Sequence, residues 1–316
     1  MNLEKSKEGF PIDAINEIKH LRTLNHPNII NFLEVVVDKY IKYEKVKNNT
    51  NMSLYYPWNF YIVTEYAEHT LSGLIQRGCT FDYSKTKCIL KQILEGLEYM
   101  HNQNIVHRDI KCSNILVTSS GIVKLADLGM SKGFKEDVLL KKETGIVTLW
   151  YRAPELLYRN DYSKVIDMWA VGCVMGKLIT GKAIFRGKDE KHQLEIIMKE
   201  LTGNKPILWE KLKSKSDSMT LDLMERMLKL NPNDRITVKQ ALVHPYFLAK
   251  PKACKASELK LLDGESHEFF IKEQRESILN YNVQNECTYK DLFKARKHSL
   301  LVNEDQLSLP RKIISL

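Results

Sequence analysis

The stretch HRDIKCSN at residues 107–114 decides how this chain is interpreted, because two further motifs follow it at telling distances. DLG at residues 127–129 begins thirteen residues after Asn114, and APE occupies residues 153–155. A His-Arg-Asp triplet alone would be a weak signal, since it can arise by coincidence in a loop. The three motifs in this order and spacing are typical of one kind of catalytic domain.

The three motifs resemble the catalytic loop, the metal-binding motif and the activation-segment motif of eukaryotic protein kinases. The resemblance implies that Asp109 orients the attacking hydroxyl and accepts its proton, and that Lys111 offsets charge on the transferred phosphoryl group. It also implies that Asn114 and Asp127 provide oxygen ligands for Mg²⁺, which together with ATP is the expected cofactor.

The composition is that of an ordinary globular protein, with 316 residues, 43% hydrophobic and 28% charged. It excludes a collagen, a disordered tail protein and a disulfide-stapled miniprotein. The net charge of +9 is scattered along the chain, so we expect a basic surface with no direct nucleic-acid or membrane partner. Six cysteines without a CxxC pair, and a start without an apolar signal segment, predict reduced thiols in an intracellular protein.

The order of predicted elements indicates an α+β protein with a small mixed lobe and a large helical lobe. Hydrophobic periodicity predicts helices at 11–24 and 84–101, strands at 60–67, 115–117 and 122–125, a polar loop at 38–58 and mostly helix at 161–248.

The resemblance to kinases covers residues 1–248 and implies a two-lobed, protein kinase-like fold. We expect a truncated small β lobe at 1–66 and a large helical lobe at 67–248. Residues 249–316 are expected to form a polar C-terminal extension with one helix at about 265–279.

Two stretches resemble the cyclin-dependent kinases within this family. PIDAINE at residues 11–17 is similar to their PSTAIRE-type helix, and TLWYRAPE at 148–155 to their substrate-site signature. The resemblance implies a cyclin-type regulatory subunit, with Ile15 as an apolar contact on the helix. Alone, PIDAINE would be no more than an ordinary amphipathic helix.

The stretches EGFP at 8–11, HRDIKCSNIL at 107–116 and SHEFF at 266–270 resemble the branch that phosphorylates the C-terminal repeats of RNA polymerase II. This implies a serine/threonine kinase of the nucleus, although no basic cluster is a convincing import signal.

The resemblance also implies a preference for proline after the phosphorylated residue. In such kinases the backbone carbonyl at the position of Val147 turns to the arginine at the position of Arg152, so a substrate amide at +1 lacks an acceptor. Proline has no N–H, so Ser/Thr-Pro sites are favoured. A cell-cycle kinase remains an alternative.

The resemblance also assigns an ATP pocket. Thr64 takes the gatekeeper position, and Glu65 to Ala67 offer backbone groups to adenine. Leu116 forms the pocket floor. Glu17 on the first helix is the carboxylate that a strand lysine pairs with in kinases, next to the nucleotide and Asp127.

The activation segment departs from the family. The usual phosphothreonine falls on Glu143, with Thr144 next to it and Thr148 five residues beyond Glu143. The phosphate-binding arginines of the family correspond to Arg108, Lys132 and Asn16. A carboxylate carries less charge than a phosphate and needs fewer cations, so one hypothesis is that Glu143 mimics the phosphate. The other is that Thr144 is phosphorylated.

The glycines mark a second departure. The chain has 14 glycines, and no two of them are spaced as G-x-G, so the glycine-rich loop expected over the ATP phosphates is absent from it. The segment expected to carry a lysine partner for Glu17 is absent as well. One interpretation is an incomplete record of an active kinase, and the other is a degenerate, cyclin-binding scaffold. The absence predicts weak ATP binding and a poorly formed small lobe.

Overall fold

The structure is a computed structural model that describes most of the chain between residues 12 and 267. The described residues are 12–39, 42–45, 52–55, 58–135, 139–141, 149–158, 161–203, 207–259, 264 and 266–267. The expected helix at 11–24 and the expected strand at 60–67 are observed as α1 (Ile12–Thr23) and β4 (Trp58–Thr64).

Among the remaining elements, the helices dominate after residue 161, as predicted, and short strands lie between α3 and α5. The other strands are β1 (Phe32–Lys39), β2 (Lys42–Lys45), β3 (Met52–Tyr55), β5 (His69–Thr70), β6 (Ile105–Val106), β7 (Ile115–Val117), β8 (Val123–Leu125), β9 (Lys132–Gly133), β10 (Leu140–Lys141) and β11 (Asp161–Tyr162). The other helices are α2 (Leu71–Gln76), α3 (Tyr83–Asn102), α4 (Glu155–Tyr158), α5 (Ile166–Thr180), α6 (Glu190–Thr202), α7 (Ile207–Lys213), α8 (Ser218–Met227), α9 (Val238–Leu242) and α10 (Pro245–Leu248).

The small lobe contains α1 and two pairs of antiparallel strands. β1 pairs with β4, with Val35 opposite Ile62, and β2 pairs with β3. The prediction of a polar loop at 38–58 is therefore wrong, because β2 and β3 form a hairpin inside it. Asparagine and lysine are depleted in strands, so a composition rich in these residues favoured a loop and concealed the hairpin.

The large lobe is built around α3 and α5. The Asp82 carboxylate caps α3 by accepting a hydrogen bond from the Lys85 backbone N–H at 2.8 Å. The buried face of α3 packs against α5, whose residues are apolar nearly all round, and Trp169 of α5 is fully buried. The α+β expectation with a large helical lobe is confirmed.

Short strands position the motif residues between these helices. The HRDIKCSN stretch connects β6 to β7, and the DLG motif directly follows β8, which pairs with β7. The Ile30 N–H donates to the Leu125 carbonyl at 2.9 Å and ties the small lobe to the end of β8. The two motifs are therefore held at adjacent strand ends.

The first part of the C-terminal extension packs on α3. The buried Lys87 ammonium donates to the carbonyls of Ala249 and Pro251, each at 2.8 Å. Ser266 forms an isolated bridge with His69, so the expected helix does not begin at 265. The rest of that predicted helix, 268–279, lies outside the described residues.

Two further expectations concern the cysteines and the membrane. The five cysteines in the described part of the chain are free thiols, whereas Cys287 lies outside it. Among the described helices, none combines the length and apolar character needed to cross a bilayer.

Candidate active site

The catalytic loop is held by one buried carboxylate, Asp167 at the start of α5. It accepts hydrogen bonds from the backbone N–H groups of His107 and Arg108 and contacts the His101 ring, each at 2.9 Å. Burial alone would raise the pKa of Asp167, but the His101 ring and the His107 N–H hold it below its ordinary value. An ionised Asp167 therefore fixes the loop backbone, including Arg108 in a left-handed conformation with φ of 69°.

Asp109 is buried and points one carboxylate oxygen at two donors. Its Oδ2 accepts from Lys111 Nζ at 2.7 Å and from Asn114 Nδ2 at 2.9 Å. Among the described residues, nothing donates to Oδ1. The carboxylate is therefore fixed in orientation and keeps one oxygen available to a substrate hydroxyl.

The loops that carry Asn114 and Asp127 lie side by side, because the Ala126 N–H donates to the Asn114 carbonyl at 2.9 Å. The Asn114 amide group donates to Asp109, which leaves its Oδ1 without a partner among the described residues. The Asp127 carboxylate likewise has no ion pair there. Two unpaired hard oxygens on neighbouring loops fit a magnesium ion.

Glu17 is buried in α1 and faces the same place. A Cβ added at Gly129 would lie 3.4 Å from Asp127 Oδ1 and 3.5 Å from Glu17 Oε2, so the two carboxylates border one small space. Burial, and then the Asp127 charge, raise the pKa of Glu17 to about 7. No described cation pairs with Glu17, so at neutral pH it is partly protonated.

The hinge follows β4, and Thr64 at the end of that strand is half-buried. Glu65 is fixed by its side chain, since its Oε1 accepts from the Asn31 N–H and from Lys124 Nζ, both at 2.7 Å. Leu116 of β7 lies half-buried in the strand that pairs with β5, which follows the hinge. The expected gatekeeper, hinge and floor residues thus come from neighbouring strands.

The extension contacts the hinge through Ser266 and His267. His267 Nε2 lies 2.6 Å from the Ala67 carbonyl oxygen, and the Arg77 guanidinium donates to Ser266 Oγ at 2.7 Å. The Ser266 N–H donates to the Glu68 carbonyl at 3.1 Å. The Ala67 N–H has no partner among the described residues, so it is available as a donor to a ligand such as adenine. The Ala67 carbonyl, in contrast, is already bonded to His267.

Gly73 in α2 makes this docking possible. A Cβ at this position would lie 1.6 Å from the Ser266 carbonyl oxygen and 2.7 Å from its carbon. We expect Gly73→Ala to displace residues 266–267 from the hinge, which hydrogen exchange of the Ser266 amide would record as faster exchange.

Gly133→Ala is the matched control for this experiment. A Cβ there meets only the Asn104 carbonyl, at an ordinary 3.9 Å. Exchange at Ser266 that stays unchanged in Gly73→Ala would contradict the observed docking.

The activation segment is only partly visible. Glu143, Thr144, Val147 and Thr148 lie outside the described residues, so the predictions for them stay predictions. Arg108 contacts the Met130 carbonyl through Nε and donates to the Tyr162 hydroxyl at 2.8 Å. Lys132 lies in β9, which pairs with β6 directly before the catalytic loop.

Arg152 and Ile15 differ in exposure. Arg152 is buried and contacts the Glu190 carboxylate at 2.5 Å, whereas its predicted partner Val147 lies outside the described residues. Ile15 on α1 is 48% exposed, which leaves its side chain accessible to another protein.

Sequence reasoning missed several residues that hold the site. His101 supports Asp167, Arg77 at the end of α2 donates to Ser266 Oγ, and His20 on α1 contacts Ser131 behind the DLG motif. Each acts through a partner between 66 and 189 residues away in the chain. No local pattern in the sequence could have indicated these contacts.

Comparisons with known proteins agree with this geometry. A family model described as protein kinase domain matches residues 1–247. The chain is 38% identical over 304 residues to "Cyclin-dependent kinase 12" of Caenorhabditis elegans, covering 88% of this chain and 40% of that protein. It is 34% identical over 278 residues to human "Cyclin-dependent kinase 9", covering 79% and 72%.

Among solved structures, the chain is similar to one described as "Crystal Structure of the yeast RNA Pol II CTD kinase CTDK-1 complex". The TM-score is 0.65 at 30% sequence identity, covering 80% of this chain and 86% of that chain. The chain spans 40% of the Caenorhabditis relative and 23% of a Drosophila melanogaster "Cyclin-dependent kinase 12" that is 39% identical to it.

Proposed function

Because the chain belongs to the protein kinase family and, within it, to the cyclin-dependent kinases, we propose that it phosphorylates Ser/Thr-Pro sites in the C-terminal repeats of RNA polymerase II. The observation that carries this proposal is the arrangement of Asp109, with one oxygen held by Lys111 and Asn114 and the other available. The activity is ATP-dependent phosphate transfer to a protein hydroxyl.

In the proposed reaction, Asp109 orients the substrate hydroxyl and accepts its proton. The hydroxyl oxygen bonds to the γ-phosphorus while the bond from that phosphorus to the β–γ bridging oxygen breaks, which leaves ADP. Lys111 lies 2.7 Å from Asp109 and can offset charge on the phosphoryl group. Positioning and charge, rather than covalent chemistry, are the contribution of these residues.

We assign the cofactor sites to residues with unused polar atoms. Asn114 and Asp127 would hold Mg²⁺, which neutralises phosphate charge when bound. The Ala67 N–H and the Glu65 carbonyl would bind adenine, with Thr64 and Leu116 beside it. Supporting this, the Asn114 and Asp127 side-chain oxygens and the Ala67 N–H lack partners among the described residues.

Regulation is proposed to come from a cyclin-type subunit. The exposure of Ile15 on α1 supports a protein contact at that helix.

We further propose that the kinase domain covers residues 1–248, with residues 249–316 as an extension, and that the protein acts in the nucleus. The relatives' names support a role in transcription, since one is described as a Pol II CTD kinase.

The experiment is a kinase assay on the complex purified from cells that express the chain, so that its regulatory subunit accompanies it. With Mg-ATP, we expect phosphate incorporation into a peptide of the polymerase Ser-Pro repeats. A control peptide with each proline replaced by alanine is expected to react more slowly, by up to about tenfold. The reason is that its +1 amide loses a hydrogen bond on binding.

Two results would overturn the proposal. An intact complex that phosphorylates neither peptide would refute the kinase activity itself. Equal rates on the two peptides would instead refute the Ser/Thr-Pro specificity.

A further inference from the structure

A polar contact joins α1 to the segment behind the DLG motif. His20 Nδ1 lies 2.7 Å from Ser131 Oγ, and Ser131 is buried with 4% of its surface exposed. Neither residue belongs to the motifs described above. The contact spans 111 residues of sequence and crosses from the small lobe to the large lobe.

The direction of this hydrogen bond follows from the neighbouring carbonyl. Ser131 Oγ also lies 2.6 Å from the Leu128 carbonyl oxygen, which can only accept. A hydroxyl has one hydrogen, so Ser131 donates it to Leu128 and accepts a hydrogen bond from His20. The His20 ring therefore carries a hydrogen on Nδ1. Burial, and then the charges of Lys19 and Arg108, lower the pKa of His20, so the ring is neutral at neutral pH.

Ser131 is a fixed anchor within the large lobe. Its N–H donates to the Leu128 carbonyl at 2.9 Å, and Arg108 contacts the Met130 carbonyl. The next residue, Lys132, pairs with Val106 between β9 and β6. A hydrogen bond to Ser131 therefore attaches α1 to the part of the large lobe that also holds the catalytic loop.

Among the described residues, the other attachment of α1 to this part of the large lobe is apolar packing by Leu21 and by Leu24, which directly follows the helix, both buried in the common core. Apolar packing has no direction and permits a helix to slide or rotate, whereas a hydrogen bond requires one geometry. Glu17 and His20 are three residues apart and so lie on one face of the helix. A hydrogen bond that holds His20 in place therefore also holds Glu17 in place.

We propose that His20 is a positioning residue, whose hydrogen bond to Ser131 holds Glu17 at a set distance from Asp127. The need for such a contact is visible at Gly129, where the two carboxylates border one space and repel each other when both are ionised. The consequence for catalysis rests on the proposed function, whereas the contact itself does not.

The test is a double-mutant cycle on the full chain without nucleotide. His20→Ala and Ser131→Ala are each expected to speed hydrogen exchange of the α1 amides about three- to tenfold, as loss of one hydrogen bond predicts. Because both variants remove the same bond, the double variant is expected to exchange no faster than the faster single variant.

His20→Gln keeps an N–H donor and is expected to restore part of the protection, while Arg22→Ala, on an exposed position of the same helix, is the control with no effect. Single variants that exchange like the unmodified chain would overturn the proposal. A double variant whose effect is the product of the single effects would do the same.

A second measurement separates this proposal from the proposed function. In the kinase assay on the purified complex, His20→Ala is expected to lower kcat more than it raises KM for the peptide, and His20→Gln to recover part of kcat. A complex without any activity would refute the proposed function, whereas the exchange cycle would still decide the His20–Ser131 contact.

Discussion

Replacing Asp109 by asparagine is expected to slow phosphate transfer to a Ser-Pro peptide by about 10²- to 10⁴-fold. Asparagine has nearly the same shape but cannot accept the hydroxyl proton. It would also turn an amide oxygen towards the two donors that Asp109 Oδ2 now accepts, Lys111 and Asn114, and so present an N–H group to the substrate. The measurement is kcat of the purified complex.

The control for this variant is Asp161→Asn in β11, which makes the same chemical change outside the catalytic loop. Among the described residues the half-buried Asp161 side chain makes no hydrogen bond or ion pair, so its variant is expected to leave kcat within about twofold of the unmodified value. Thermal unfolding of both variants checks that the fold is kept. An Asp109→Asn complex with nearly full kcat would remove Asp109 from the proposed mechanism.

Replacing Arg235 by alanine is expected to lower the free energy of unfolding by about 3–5 kcal/mol. Arg235 donates to both carboxylate oxygens of Glu155, at 2.6 and 2.9 Å, and the two side chains are 0% and 1% exposed. Removing the arginine leaves the Glu155 carboxylate buried without a counter-charge. Its guanidinium also packs over Trp169, 5.2 Å from the ring centroid.

Arg226→Ala is the matched control, since Arg226 pairs with Asp222 at 3.0 Å on the surface of α8. Exposed pairs contribute about 0–1 kcal/mol, so urea unfolding is expected to separate the two variants clearly. If Arg235→Ala and Arg226→Ala lost the same small amount, the buried pair would not be a main support of the large lobe. Glu155→Ala is expected to match Arg235→Ala.

Asp109 and Arg235 act in different ways, one on the proposed reaction and the other on the stability of the large lobe. Glu155 closes the APE motif, and its pair with Arg235 fastens the end of the activation segment to the helical lobe. Asp167 does the same for the catalytic loop. Under the proposed function, the motif residues thus divide into groups that face the substrate and groups that hold the backbone in place.

The amphipathic helix predicted at 84–101 is observed at Tyr83–Asn102, and the helix predicted at 11–24 at Ile12–Thr23. Both have a local cause, since helical spacing of apolar residues and a nearby capping or entry residue suffice to define a helix. The hairpin of β2 and β3 has no such local signal, and for this reason composition alone gave a loop.

The sequence by itself determined the proposed catalytic set, because Asp109, Lys111 and Asn114 are close in the chain and the proposed chemistry requires those residue types at that spacing. Only the tertiary structure decided which distant residues hold the set in place. Arg77 reaches Ser266 across 189 residues, and His20 reaches Ser131 across 111. Such contacts depend on how whole elements pack, and a hydrogen bond between two ordinary polar residues leaves no periodic or compositional trace in the chain.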